Sequence, residues 1–174
     1  MRYTRLLSEN KSKKDGKENK GCYLRKAEDK DIDLLFRWAN ESEVRKNSFS
    51  TKPIIYEEHK KWFAKEKQKG TKIYILCDGA LEIGTLRLNL KGHEAVISYS
   101  IAREYRNRGY GTKLIMLAEQ EACHIFLEEK QQHFMILRAQ VKEENLASGE
   151  IFTKLGYEKD GIQYRKKISW ENQE

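Results

Sequence analysis

The run "KIYILCDGALEIGTLRLNLKGHEAVISYSIA" constrains the fold more than any other part of the chain. Two strand-length apolar segments, 72–77 and 81–90, flank Asp78-Gly79, a dipeptide suited to a tight two-residue hairpin. Gly92 marks a second turn before a third strand, "EAVISYSIA". The chain then changes period. In "YRNRGYGTKLIMLAEQEACHIFLEE", Leu114, Leu117, Ala118 and Ile125 fall on one side of a long helix, and "FMILRAQV" follows as a strand. Three antiparallel strands thus lead into a strand–helix–strand crossover, predicted to be parallel and right-handed.

The flanking segments complete the pattern. "CYLRKA" reads as a first strand. "DKDIDLLFRWAN" places Ile32, Leu35, Phe36 and Ala39 at helical spacing, with Asp29 or Asp31 as cap. "ESEVRKNSFSTKP" is less regular and precedes a helix, "YEEHKKWFAKEKQKG", closed by Gly70. After the crossover, "NLASGEIFTKLG" is a capped helix ending at Gly156, and "YEKDGIQYRKKIS" is a second Asp-Gly hairpin. The predicted order is β-α-α-β-β-β-α-β-α-β-β: an α/β fold with a mixed, mostly antiparallel sheet and helices on both faces. At 174 residues one domain is expected, over 22–170, with a basic flexible tail or linker at 1–21 and a short tail at 171–174.

The formal charge of +7 raises the question of nucleic acid. The first 21 residues hold seven Lys/Arg against three acids, which leaves +3 for the remainder. A folded part so near balance is a poor polyanion binder, because such affinity scales with the phosphates neutralised. Cys22, Cys77 and Cys123 lack metal-ligand spacing and read as small buried thiols, so no metal is expected. The start "MRYTRLLSENKSKK" has no apolar signal-peptide core, and the apolar run 114–118 is too short to span a bilayer. A cytoplasmic protein with no membrane partner is expected.

The glycine-bearing turn at 106–111 points to an anion. Unpaired N–H groups at a helix start carry partial positive charge and suit phosphate. Gly109 and Gly111 let backbone approach such a ligand, and Arg106 and Arg108 add cationic donors. A dinucleotide fingerprint would need glycine where Leu114 stands, and a P-loop would need Gly-Lys-Ser/Thr. On the glycines alone, a tight turn with solvated arginines is an equal reading.

"RNRGYG", following the strand "ISYSIAREY", resembles the acetyl-CoA signature Arg/Gln-x-x-Gly-x-Gly/Ala of the GNAT superfamily of N-acetyltransferases. "NLASGEIFTKLGY" resembles that superfamily's later Asn…Ser…Leu-Gly-Phe/Tyr block, and the element order matches its fold. The resemblance covers 23–168. It implies that acetyl-CoA is bound, with backbone amides of Asn107, Arg108, Gly109, Tyr110, Gly111 and Thr112 on the pyrophosphate beside Arg106. It implies a pantetheine arm along Ile101, Ala102 and Arg103, with an amide near Ile101 polarising the thioester carbonyl. Asn145 and Phe152 would flank the thiol end.

One departure from the family pattern concerns catalysis. Many relatives carry Tyr where Phe152 stands, able to protonate the departing thiolate; here Tyr99 or Tyr157 would have to substitute, or the thiolate leaves without help. Glu94, at the start of the cofactor strand, is the candidate base, although a solvated carboxylate is an equal reading, and Gln140 stands where Glu would have served better. A non-catalytic acyl-CoA-binding sensor is the alternative from another class.

"RWANESEVRKNSFSTKPIIYEEHKKWF" resembles the acetyltransferases of pseudaminic acid biosynthesis, which act on the 4-amino group of a UDP-linked aminosugar. It is less closely similar to those of ribosomal-protein N-termini, and polyamine or antibiotic acetyltransferases are a further alternative. Arg45 and Asn47 would contact a diphosphate or sugar hydroxyls. His59 and Trp62 share a helical face and could meet a uracil or sugar ring, or serve equally as core; Trp38 reads as core. The basic tail would suit a remnant linker behind a nucleotide-sugar hydrolase domain, or be an ordinary extension. An exposed edge near "IQYRKKIS" could pair in a homodimer.

Overall fold

The computed structural model describes residues 21–129 and 133–169. The expected tails, apart from Gly21, lie outside the described residues. Seven strands form one sheet: β1 (Cys22–Lys26), β2 (Lys72–Asp78), β3 (Leu81–Lys91), β4 (Glu94–Ile101), β5 (Phe134–Gln140), β6 (Glu158–Asp160) and β7 (Gln163–Ser169). Their order is β1-β2-β3-β4-β5-β7-β6, and only β4 and β5 run parallel. Helices α1 (Ile32–Ala39), α2 (Ser42–Asn47) and α3 (Tyr56–Gln68) lie between β1 and β2. Helix α4 (Tyr110–His124) makes the crossover, continued by a π-helical turn at Ile125–Glu129, and α5 (Leu146–Lys154) follows β5.

Strand β2 is buried on both sides, and its alternation sorts the core into two layers. Ile73, Ile75 and Cys77 pack with Leu35, Trp38 and Phe63 of α1 and α3. Tyr74 and Leu76 join Leu86 and Leu88 of β3, Ile97 of β4, Leu114 and Ala118 of α4, and Phe152 of α5. Trp38 is therefore core. Both expected hairpins form, but each turn sits one residue later than the Asp-Gly dipeptide: Gly79-Ala80 and Gly161-Ile162 connect the strands, with Gly79 at φ 58° and Gly161 at φ 55°, values that favour glycine.

Two local expectations need correction. The stretch read as irregular contains α2, a helix of only six residues followed directly by "SFSTKP". Asp31 occupies the N-cap position of α1, but its side chain makes no capping hydrogen bond to that helix. Its carboxylate accepts both Arg25 guanidinium nitrogens (2.7 and 2.9 Å) and the Glu28 N–H (2.8 Å), fixing the turn that precedes the helix, while Asp29 pairs with Lys67 of α3 at 2.7 Å. The edge expected near the C-terminal hairpin is the three-residue β6, which ends the sheet beside β7. Among the described residues no helix is long and apolar enough to cross a membrane.

Candidate active site

Strand β4 parts from β5 halfway along its length. Their pairing ends at Ile97–Ala139, whereas β4 stays paired with β3 through Ile101. The orientation of the free edge follows from alternation. His93 C=O accepts from Ile136 of β5, and Ala102 N–H donates to Ile83 of β3. Odd-numbered peptide groups of β4 thus face the β5 side, so the N–H groups of Tyr99 and Ile101 and the Tyr99 C=O border the gap. The gap opens into a cleft of about 1570 Å³, lined from β4 by residues 96–101.

At one end of this edge lies the glycine turn. Asn107 (φ 59°) and Gly109 (φ 79°) both adopt left-handed backbone, and Gly109 is the N-cap of α4. No side chain caps that helix and its first turn holds no acid, so its leading N–H groups remain available to an anion. Asn107, Gly109, Gly111 and Thr112 line the cleft. Gly111 is needed for a different reason from Gly109: a Cβ there would lie 2.7 Å from Ile151 Cδ1 of α5. Tyr110 points elsewhere, its hydroxyl donating to Asp78 at 2.7 Å, and the Arg108 guanidinium sits over the Tyr105 ring.

Arg106 is not a free donor. Its Nε donates to Ile101 C=O at 3.0 Å and its Nη2 pairs with Glu41 at 2.5 Å. It braces the end of β4 against the start of α2. Ala102 is buried against the α1/α3 layer, and Arg103 lines the cleft with its N–H 3.4 Å from Glu41.

Helix α5 forms the opposite wall. The Asn145 side chain accepts from Ser148 N–H at 3.3 Å, so it caps the helix as well as lining the cleft. Phe152 is fully buried among Tyr99, Tyr157 and Tyr164. Of the two tyrosines that could replace the missing hydroxyl, Tyr99 lines the cleft and Tyr157 does not. Tyr99 Oη lies 3.0 Å from Ser148 Oγ, and burial pushes its pKa up, which keeps the phenol protonated.

The α1–α3 side supplies Arg45, Asn47, His59 and Trp62, all of which line the same cleft. Arg45 pins its own loop by donating to Ser48 Oγ (2.9 Å), Ser50 C=O (3.1 Å) and Lys52 C=O (3.3 Å), and burial pulls its pKa down. Asn47 donates to Glu43 at 3.4 Å. His59 is 3 % exposed, packs edge-on to Phe36 and tilted on Trp62, and its Nε2 is buried without a hydrogen-bond partner. Burial and the nearby Arg87 charge hold its pKa below the ordinary value.

Arg87 is the residue that sequence reasoning missed. It lies on β3 directly opposite Ser98, where β4 leaves β5, and its guanidinium covers the Trp62 ring at 5.2 Å. Burial lowers its pKa most, with an opposing pull from Glu66 and a further push from Arg45. No carboxylate among the described residues forms an ion pair with Arg45 or Arg87. The alternation of "TLRLNL", which sets Arg87 on the face opposite Leu86 and Leu88, was the available signal. Glu94 is placed differently from expectation. It opens β4 at the end still paired with β5, is bound to Arg138 at 2.6 Å, and is not part of the cleft wall.

A cleft between parting parallel strands, closed at one end by an uncapped helix start, fits the comparisons with known proteins. The acetyltransferase (GNAT) domain family matches residues 22–158, and the chain belongs to that family. Its fold is similar to that of an aminoglycoside acetyltransferase in complex with coenzyme A (TM-score 0.70, 14% identity, covering 84% of this chain and 94% of that one). It is also similar to spermidine N-acetyltransferase from Vibrio cholerae with CoA and spermine (0.69, 20%, 87% and 96%). A third is ribosomal-protein-alanine N-acetyltransferase from Brucella melitensis (0.67, 18%, 84% and 99%). No curated protein sequence matches the chain. The protein is an N-acetyltransferase that uses acetyl-CoA.

Proposed function

We propose that the acceptor is the 4-amino group of a UDP-linked aminosugar. The observation that carries this reading is the pair of guanidiniums, Arg45 and Arg87, half-buried on the wall of the cleft with no ion pair of their own among the described residues; on Arg87 the pull of Glu66 is outweighed by burial. Partly desolvated cations without an ion-pair partner are costly unless a ligand supplies the anion, and a diphosphate does so with bidentate geometry. Trp62 and His59 beside them offer ring surfaces to a base or sugar. A polyamine or aminoglycoside would instead bring positive charge against two like charges.

In the transfer, the acceptor nitrogen bonds to the thioester carbonyl carbon, the C–S bond breaks, the amine loses a proton and the departing thiolate gains one. The chain's own groups divide this work. The helix-start amides from Asn107 to Thr112 hold the pyrophosphate, and the free edge at Tyr99 and Ile101 aligns the pantetheine arm. An N–H on that edge stabilises negative charge on the carbonyl oxygen. Holding both reactants in attack geometry is worth up to about 7–11 kcal/mol. Tyr99, protonated and in the cleft, is the group placed to return a proton to sulfur.

The test is a mass-spectrometric acetylation assay with acetyl-CoA and three acceptors: a UDP-linked 4-amino-4,6-dideoxy sugar, a ribosomal N-terminal peptide and a polyamine. Acetylation of the sugar alone is expected. Acetylation of the peptide or polyamine in its place overturns the acceptor assignment and leaves the cofactor half standing.

A further inference from the structure

We infer that His59 is the base that deprotonates the acceptor amine, and that an anionic group on the acceptor switches it on by neutralising Arg87. The inference rests on the anionic-acceptor reading above.

His59 of α3 and Arg87 of β3 both pack on the Trp62 ring, and Arg87 stands opposite Ser98, the first residue of β4 beyond its pairing with β5. The imidazole lines the same cleft as the free edge of β4. The carboxylate expected for the task, Glu94, is held by Arg138 outside the cleft. Of the cleft carboxylates, Glu41 is committed to Arg106, Glu43 accepts from Asn47, and Glu58 is solvent-exposed at the rim.

The environment of the ring sets its chemistry. Phe36 of α1 and Trp62 of its own helix contact it without charge, and Arg87 is the charged group acting on it from β3. Glu58, next to it on α3, also borders the cleft. A buried imidazole with an unsatisfied nitrogen beside a guanidinium is neutral at pH 7, with a lone pair to offer but little affinity for a proton. A phosphate seated on Arg87 cancels the repulsive charge, and proton affinity rises only when the acceptor is in place. His59 then takes one proton from the acceptor ammonium. The freed nitrogen lone pair forms the C–N bond, the C–S bond breaks, the thiolate takes a proton from Tyr99, and the second proton that the nitrogen loses as it becomes an amide restores Tyr99 through solvent. The proton on His59 leaves to solvent with the products.

Two measurements on the whole protein test this. In the first, the His59 ring is titrated by NMR with and without UDP, with the resonance assigned by its loss in His59→Gln. UDP binding with a raised His59 pKa supports the inference. Binding without that rise overturns it while leaving the nucleotide reading intact, and no UDP binding overturns both. The second compares the pH dependence of kcat/KM for the UDP-aminosugar. His59→Gln is expected to lose about 100-fold in kcat and the acidic limb of the profile, a loss at saturating acceptor that weaker UDP binding alone would not produce. A variant that keeps kcat and the limb overturns the proposal. If His59→Gln does not fold, the wild-type titration still decides through Arg87→Gln, which should raise the His59 pKa without UDP and abolish the further rise with it. An unchanged pKa in that variant overturns the proposal.

Discussion

Arg106 and Glu41 join the two halves of the cleft: the guanidinium that anchors the end of β4 through Ile101 C=O also holds the carboxylate preceding α2, at 2.5 Å. The signature arginine thus connects the cofactor edge to the segment carrying Arg45 and Asn47. Glu41→Ala frees a partly buried guanidinium and detaches α2. Hydrogen bonds to charged groups contribute about 1.5–3 kcal/mol. KM for acetyl-CoA and KM for the acceptor are both expected to rise, each by about tenfold. Steady-state kinetics with each substrate varied in turn checks this, and a change confined to one KM would dissociate the two halves.

The two glycines of the turn should respond differently to alanine. Gly109 holds φ 79° with open space around its Cα, so Gly109→Ala incurs left-handed strain of roughly 1–2 kcal/mol and disturbs the amides that meet the pyrophosphate. Gly111→Ala keeps its backbone but presses on Ile151 Cδ1, the movable end of a side chain. Isothermal titration with coenzyme A should show the larger loss of affinity for Gly109→Ala. Thermal melts should show only a modest shift for Gly111→Ala.

Much of this architecture is legible in the sequence because its signals are local. Asp78-Gly79, Gly92 and Asp160-Gly161 punctuate strands, and the spacing of Leu114, Ala118 and Ile125 sets the buried side of α4. What is not legible depends on distant partners. Glu41 meets Arg106 across 65 positions, Asp31 meets Arg25 instead of the helix it precedes, and Glu94 is claimed by Arg138. Arg87 looked like an ordinary polar position of an alternating strand. Its weight comes from α3 covering that face, which no pattern within β3 reveals.

The Arg25–Asp31 pair predicts a specific pH dependence of stability. Arg25 holds the Asp31 pKa below its ordinary value, and Asp31 is 4 % exposed. A carboxylate with a lowered folded pKa stabilises the protein above its unfolded value, about 3.9, and that contribution fades as pH falls through the folded value. Asp31→Asn should therefore reduce stability by about 1–3 kcal/mol at pH 7. The difference from wild type should shrink below pH 4, as read from urea midpoints across the series.

Tyr99 offers the sharpest separation of chemistry from packing. Its ring packs against Phe152, the position where a hydroxyl is missing, and its own hydroxyl shares a hydrogen bond with Ser148. Tyr99→Phe keeps the ring and removes the proton. If the phenol protonates the departing thiolate, kcat should fall about 10–100-fold while KM for acetyl-CoA holds. Because burial raises the phenol pKa above its usual 10, wild-type activity should not lose this donor anywhere between pH 7 and 10. Ser148→Ala leaves the hydroxyl in the cleft and should cost less. Equal losses in both variants, or full activity in Tyr99→Phe, would remove Tyr99 from the reaction and leave a thiolate that departs without a protein acid.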